Sequence, residues 1–545
     1  MAAGDNDGVA LTYDAIVIGA GHNGLVTACY LARAGLRVLV LERRYIVGGA
    51  CVTEETFRGY KVSTASYVNS LFHTQIVQDL SLGRYGYEVL PRDPSSFTPF
   101  PDGRSLLMGP NTELTRNEIA KFSKRDAERY PQYEAMLERV AALVEPTLTM
   151  APPDLLRPRL ADIRSMLTLG LAFRRRLRDS AGETVELLTG AARPILDRWF
   201  ESEELKGTLA TDAIIGAMAS PSMPGTAYVL FHHVMGEAGG SRGVWAYMRG
   251  GMGSITQALA AAARDLGAEI RCEAEVTRID VHDGQAAGVV LASGDEFSAP
   301  IVASNADAHV TFLRLLDRQI LPDAFVADVE RISYASASLK INVALGELPN
   351  FTALPGMDPG PQHRGTIHIC PDQDYIERAF DDAKYGRPSA APVIECQLPS
   401  VVDPTVAPPG KHLMSMFIQY APYELRNGSW AAQRDVFADR CFDVLNEYAP
   451  NFKNSVIDRQ VLAPPDLERV FNLTGGNIFQ GAMTPSQLFA FRPVPGYARY
   501  RTPIRGLFLC GSAAHPGGGV MGTPGLNAAR EILGRRRFHR SGRRP

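Results

Sequence analysis

Apolar positions along the chain fall into a few distinct patterns. Residues Tyr13 to Ile18 (YDAIVI) make a short continuous apolar run, LVTACYLARAG repeats apolar residues at helical spacing, and LRVLVLE returns to a continuous run. Together they predict strand, helix and strand within about 30 residues, the span of one βαβ unit. Gly250 to Gly253 open a second helical pattern from about Ser254 to Leu266, closed by Gly267. Alternating segments follow (IRCEAEVTRIDV, AAGVVLA, EFSAPIVAS), separated by Asp283-Gly284 and Ser293-Gly294-Asp295, and they predict the hairpin turns of a small meander. Residues from about 86 to 240 are helix-rich, and those from about 310 to 490 mix strand patterns with Pro-rich loops such as DPTVAPPGKH. Near the end, LFLC (Leu507 to Cys510) reads as a strand and TPGLNAAREIL as the start of a helix.

The chain of 545 residues is too long for one ordinary core, which points to several interleaved units. With 45% hydrophobic and 21% charged residues and a formal net charge of -3, it gives no general reason to bind nucleic acid. No apolar run reaches the roughly 18 residues a bilayer span needs, and MAAGDNDGVA lacks the basic and apolar regions of a signal peptide. The seven cysteines form no CxxC pair, so neither a zinc cluster nor a dithiol redox centre is expected, and no metal site is assigned. These features predict a reducing, cytoplasmic setting.

Chemistry first enters with GAGHNG. Gly19 permits the tight turn, Gly21 lets backbone approach a pyrophosphate, and Gly24 lets helix and strand pack closely. The phosphate would lie on the helix N-terminus. Glu42 ends the second strand, where a carboxylate accepts hydrogen bonds from a ribose, and an acid there favours FAD or NAD over NADP. A glycine turn in an ordinary βαβ unit explains the glycines but leaves Glu42 without a reason. No second GxGxxG follows a strand, so electrons are expected to pass to oxygen or a quinone rather than to a bound NAD(P).

Past Glu42, ERRYIVGGACVTEE carries Arg44 and the Gly48-Gly49 doublet. This resembles the second motif of the flavin amine oxidase and phytoene desaturase superfamily, which implies that Arg44 approaches the FAD diphosphate and that Gly48 and Gly49 let backbone pass the cofactor. On charge alone, Arg43 and Arg44 read equally as two solvated side chains. In the same superfamily the valine of "AEV", here Val276, presents its backbone to the adenine; by periodicity it is a core valine.

The segments GAGHNGLV, FHHVMGE to GGMGSITQAL, DPTVAPPG, YAPNFK, GGNIFQGAMTPSQLFAFRPVPG and CGSAAHPGGGVMGTPGLNAAR span nearly the whole chain. Through them it resembles the phytoene desaturase-related FAD oxidoreductases, in the branch of the pyridine nucleotide-disulfide oxidoreductase domain-containing protein 2 type, with the FAD-dependent carotenoid ketolases nearby. The resemblance implies an α/β fold: a Rossmann-like FAD-binding domain assembled from residues 10–85, 241–310 and 491–538, with a mixed α+β substrate domain from 86–240 and 311–490, and a basic tail at 539–545. The C-terminal loop is then expected to grip the same FAD: Gly511 and Ser512 by close approach, and Gly522 and Thr523 by facing the flavin ring's N1 and O2 edge. His515, beside that motif, is a candidate catalytic group or a structural histidine pinning the loop. Lys340, in YASASLKINVAL, is a candidate near the flavin or an edge-strand lysine in water.

The resemblance implies an FAD-dependent oxidoreductase of dehydrogenase, desaturase or ketolase type, with an apolar slot for a hydrophobic, isoprenoid or lipid-like substrate. Disulfide reductase chemistry is excluded by the missing CxxC. Amine oxidation, flavin-dependent isomerisation and a non-catalytic FAD scaffold are the alternatives; the three tryptophans offer no recognisable amine cage. The stretch Asp162 to Asp179, apolar and then rich in Arg174, Arg175, Arg176 and Arg178, fits an anionic membrane surface or a helix packed on its own domain or on a second copy in a homo-oligomer.

Overall fold

Five strands of three or four residues run parallel in the order Glu269–Arg271, Val38–Leu41, Ala15–Ile18, Val302–Ser304 and Leu507–Leu509. The computed structural model describes residues 13–156, 158–177, 180–238, 241–242 and 245–541. Three distant stretches of chain therefore build one sheet, with Ile16 opposite both Leu39 and Val302. AIVI and VLVL are buried at every position, the run expected of a parallel strand covered on both faces. The helix His22–Arg33 packs against Gly253–Asp265 and against the C-terminal helix Thr523–Ser541, which is broken by non-helical backbone at Gly534. The meander is present as three antiparallel strands, Val276–His282, Gln285–Leu291 and Glu296–Ser298.

A second sheet of seven strands runs Val456–Leu462, Ser338–Leu345, His412–Gln419, Val393–Gln397, Thr366–Ile369, Ser96–Pro99, Ser105–Met108. Its last two strands come from the region that reads as helix-rich, and Ser96–Pro99 joins by parallel pairing with Thr366–Ile369. Ser338–Leu345 (SLKINVAL) alternates polar and apolar, yet every residue is buried. Leu339, Ile341 and Val343 pack in one core with Trp430, Phe437 and Phe442 of the helix Trp430–Tyr448. Ser338, Lys340 and Asn342 occupy the opposite face, which period two assigns to a separate environment.

Helices Lys124–Leu148, Ala181–Thr189, Ala192–Trp199, Glu203–Thr211 and Thr226–Val234 supply a third core with Tyr133, Leu196 and Phe231 at its centre. The helix Leu160–Leu177 leaves Leu160, Ile163, Leu167 and Leu171 exposed along one stripe. Arg178 of the basic stretch and residues 542–545 of the tail lie outside the described residues. Among the described residues no helix is long and apolar enough to cross a membrane.

Candidate active site

The first glycine turn has the backbone geometry its residues require. Gly19 sits at φ +90°, and a Cβ on Gly24 would stand 2.2 Å from the Gly19 carbonyl oxygen, so the helix meets the strand only without a side chain there. Gly21 pairs with Gly48 across a β-bridge, and Gly48 N donates to Ala20 O at 2.9 Å. Glu42 is buried; its Oε2 accepts from Ala20 N at 2.8 Å and its Oε1 from Arg44 N at 3.0 Å. The Arg44 side chain is 13% exposed, bonds Glu54 at 2.7 Å and lies over the Phe471 ring, so it is no solvated charge. Its Nη1 is enclosed and has no partner among the described residues.

These residues open one cavity of about 470 Å³. Glu42, Arg44 and Val276 line its far end, and Gly19, Gly21, Gly48, Gly49 and Ser512 line its middle. Tyr67, His233, Trp245, Lys340 and Phe417 line the end at the seven-stranded sheet. FAD fits the first two parts: glycine backbone without side chains, a carboxylate for the ribose, and enclosed polar atoms still lacking partners at Arg44 Nη1, His22 Nε2 and Asn23 Oδ1. When bound it supplies a two-electron acceptor.

The C-terminal loop meets the cavity through Ser512, Gly519 and Val520, not through every residue expected of it. Gly511, Gly522 and Thr523 lie outside the lining. A Cβ on Gly511 would stand 2.5 Å from Asn305 O, and one on Gly522 (φ +72°) would meet Ile76 and Phe72 at 2.7 and 3.0 Å. Both glycines serve packing of backbone on backbone or helix on core. His515 is also displaced from the cavity: its Nε2 bonds Thr147 O at 3.0 Å, its ring packs on Phe489, and its carbonyl accepts from Tyr500. Burial holds it neutral, with a pKa lowered to about 4. It pins the loop.

Lys340 moves the other way. Its strand lies between Val456–Leu462 and His412–Gln419, so it is central rather than at an edge, and the side chain is 2% exposed. Nζ donates to Asn342 Oδ1 at 2.5 Å and Ser415 Oγ at 2.6 Å, and lies 5.6 Å from the Tyr67 ring centroid. Burial lowers its pKa to about 7.

Strand register sets Lys340 opposite Phe417, Phe417 opposite Glu395, and Glu395 opposite His368, which makes one row across four strands. Glu395 Oε2 is 3.5 Å from the Tyr67 hydroxyl and Oε1 is 3.6 Å from His368 Nδ1. Burial, and next the Asp212 carboxylate, raise the Glu395 pKa to about 8; burial raises Asp212 to about 7 against the pull of Arg92. His368 is held neutral by burial, at about 3. His233 donates from Nδ1 to the carbonyls of Asp212 and Val229, leaving Nε2 as an acceptor. Tyr67, His233, Asp212 and Glu395 escape sequence reasoning because no local motif carries them; a loop, two helices and a strand of the sheet, far apart in the chain, bring them together.

A family model described as flavin containing amine oxidoreductase matches residues 24–533. The mouse pyridine nucleotide-disulfide oxidoreductase domain-containing protein 2 is 46% identical, over 97% of this chain and 95% of its own. More distant are a component of the limonene dehydrogenase of Castellaniella defragrans, 28% identical over 95% and 94%, and the lycopene-forming phytoene desaturase of Pseudescherichia vulneris, 26% identical over 93% and 96%. The solved structure of putrescine oxidase bound to putrescine shares the fold, with a TM-score of 0.57 at 14% identity over 96% of this chain and 98% of that one. With a cofactor cavity built from both ends of the sequence and a family match over most of its length, the chain belongs to the flavin containing amine oxidoreductase family and is an FAD-dependent oxidoreductase.

Proposed function

We propose that this oxidoreductase removes hydrogen from a hydrophobic, isoprenoid- or lipid-like substrate held at the sheet end of the cavity. The observation that carries the reading is continuity: one cavity joins the glycine cradle to walls made by Tyr67, Phe417 and Trp245. Two relatives, a limonene dehydrogenase component and a phytoene desaturase, are named for isoprenoid hydrocarbons, which supports the same class. Within this reading the aromatic walls exclude water and orient the substrate. Lys340, fixed by Asn342 and Ser415, takes up the proton released as the substrate is oxidised. Electrons then leave to oxygen or a quinone.

A second reading, amine oxidation, is favoured by the same aromatic walls, since the Tyr67 and Phe417 rings lie 5.6 Å apart. One experiment separates the two. The FAD-loaded protein is mixed anaerobically with a polyene, an acyl lipid or a primary amine, and flavin absorbance is followed. Bleaching by the polyene or lipid is expected. Bleaching by the amine alone would replace the first reading with the second, and a loaded flavin that nothing bleaches would defeat both.

A further inference from the structure

A slot for a pure hydrocarbon needs apolar walls, and the sheet end of this cavity is not apolar throughout. Ser338 Oγ and Ser70 Oγ belong to residues no more than 2% exposed, both line the cavity, and neither has a hydrogen-bond partner among the described residues. Among those residues the Tyr67 hydroxyl has only the long 3.5 Å contact to Glu395. Ser338 stands two residues before Lys340 on one strand, so both present to the same face. His233 Nε2 adds an acceptor. A buried polar atom without a partner is costly, and a hydrocarbon filling this space would leave both serine hydroxyls unpaired and Tyr67 with only its long contact.

The two carboxyl groups nearby, Glu395 and Asp212, are not part of the lining; Glu395 stands behind Tyr67, and Asp212 meets His233 through its backbone carbonyl. What faces the cavity here is three hydroxyls, an imidazole and a lysine. That set gives an ammonium ion no carboxylate to pair with. A neutral oxygen suits it, because hydroxyls donate and the imidazole accepts.

We infer that the sheet end of the cavity is a head-group site for a neutral oxygen, a hydroxyl or carbonyl, carried by an otherwise apolar substrate, with Tyr67 and Ser338 as its hydrogen-bonding partners. This rests on the substrate reading above and narrows it to an amphiphile. Phe417 and Trp245 then contact the apolar body, while Glu395 orients the Tyr67 hydroxyl from behind.

The test is a titration of the full-length, FAD-loaded protein with four ligands of one chain length, decane, 1-decanol, decylamine and decanoate, read by perturbation of the flavin spectrum. 1-Decanol is expected to bind about tenfold tighter than decane, the worth of one or two hydrogen bonds. Y67F and S338A should each lose about threefold of that preference and the double variant nearly all of it, with FAD content unchanged. Each single variant decides by itself if the double fails to fold. Equal affinity for decane and 1-decanol, or a preference that survives in both single variants, overturns the inference and leaves the hydrophobic reading intact. Preference for decylamine or decanoate overturns it in favour of a charged head group. A loaded protein that binds none of the four overturns both this inference and the reading it rests on.

Discussion

Asn23 in the first glycine turn donates through Nδ2 to Ser512 Oγ in the last loop at 3.1 Å, joining residues 489 positions apart. Both line the cavity, and Thr27 repeats the tie by donating to Gly525 O at 3.1 Å. The first and last motifs therefore form one grip rather than two. N23A and S512A are each expected to raise the FAD dissociation constant about fivefold, the net worth of one such bond at ~1 kcal/mol. Titration of the apoprotein with FAD measures this, and the double variant should weaken binding by less than the two singles multiplied. Fully independent effects would mean that the bond does not couple the motifs.

Lys340 sets a pH dependence. Burial lowers it from 10.5 to about 7, so between those values the unfolded chain binds a proton that the folded chain does not, and stability rises with pH across that window. K340M removes this dependence. Relative to wild type it is expected to gain stability at pH 6 and to lose that gain progressively by about pH 10, on top of a constant penalty for leaving Asn342 and Ser415 without their donor. Urea midpoints at several pH values show it. Anaerobic flavin reduction should rise through pH 7 in wild type and fall about 100-fold in K340M.

Glu395 works in the opposite sense. Its pKa is raised from 4.5 to about 8, so the folded chain keeps a proton that the unfolded chain gives up, and stability falls as pH rises from about 5 to 8. E395Q should flatten that decline, measured by the same urea midpoints. Part of it should persist, because Asp212 is raised to about 7 and is lost over an overlapping range. An unchanged slope in E395Q would show that Glu395 is ionised in the folded state.

Gly24 and Gly522 separate cofactor geometry from packing. G24A drives a Cβ to 2.2 Å from the Gly19 carbonyl oxygen, which is backbone and cannot give way, so a loss of at least ~3 kcal/mol with failure to hold FAD is expected. G522A meets only the ends of the Ile76 and Phe72 side chains, at a positive φ. It should cost ~1–3 kcal/mol of stability while the folded fraction binds FAD normally. Thermal melts with and without FAD distinguish the two. Tenfold weaker FAD binding in G522A at unchanged stability would return Gly522 to the cofactor.

The nucleotide half of the site was legible because its chemistry is local. Gly19, Gly21, Gly24 and Glu42 lie within one βαβ unit, where spacing along the chain is spacing in space. The substrate half was not. Glu395 and His368 sit on strands whose sequences, VIECQ and TIHI, read as core; the register across the sheet sets them side by side, and a distant loop brings Tyr67 to Glu395. Lys340 illustrates the limit: alternation in SLKINVAL correctly separates two faces, but it cannot tell a face in water from a face on an internal cavity. His515, which the sequence left between a catalytic and a structural role, shows a related limit. Adjacency to a cofactor motif does not fix the direction of a side chain, and the loop turns it toward Thr147. Arg492, in FRPVPG, carries no local signal for its role: it is buried and donates to the carbonyls of Phe479 and Ser512 at 2.6 and 2.7 Å.

The order of strands in the parallel sheet also sets a schedule for synthesis. Ala15–Ile18 leaves the ribosome early, but one of its two neighbours, Val302–Ser304, is made nearly three hundred residues later, and Leu507–Leu509 later still. Until then AIVI and VLVL form at most a pair with an unpaired, strongly apolar edge, the kind of surface that recruits other chains. The cofactor cannot stabilise this early pair, since Ser512 and Gly519 of its cradle do not yet exist. Emergence of Val302–Ser304 covers only the first edge, so chaperone dependence during synthesis, relieved when the final strand emerges, is the expected consequence of this topology.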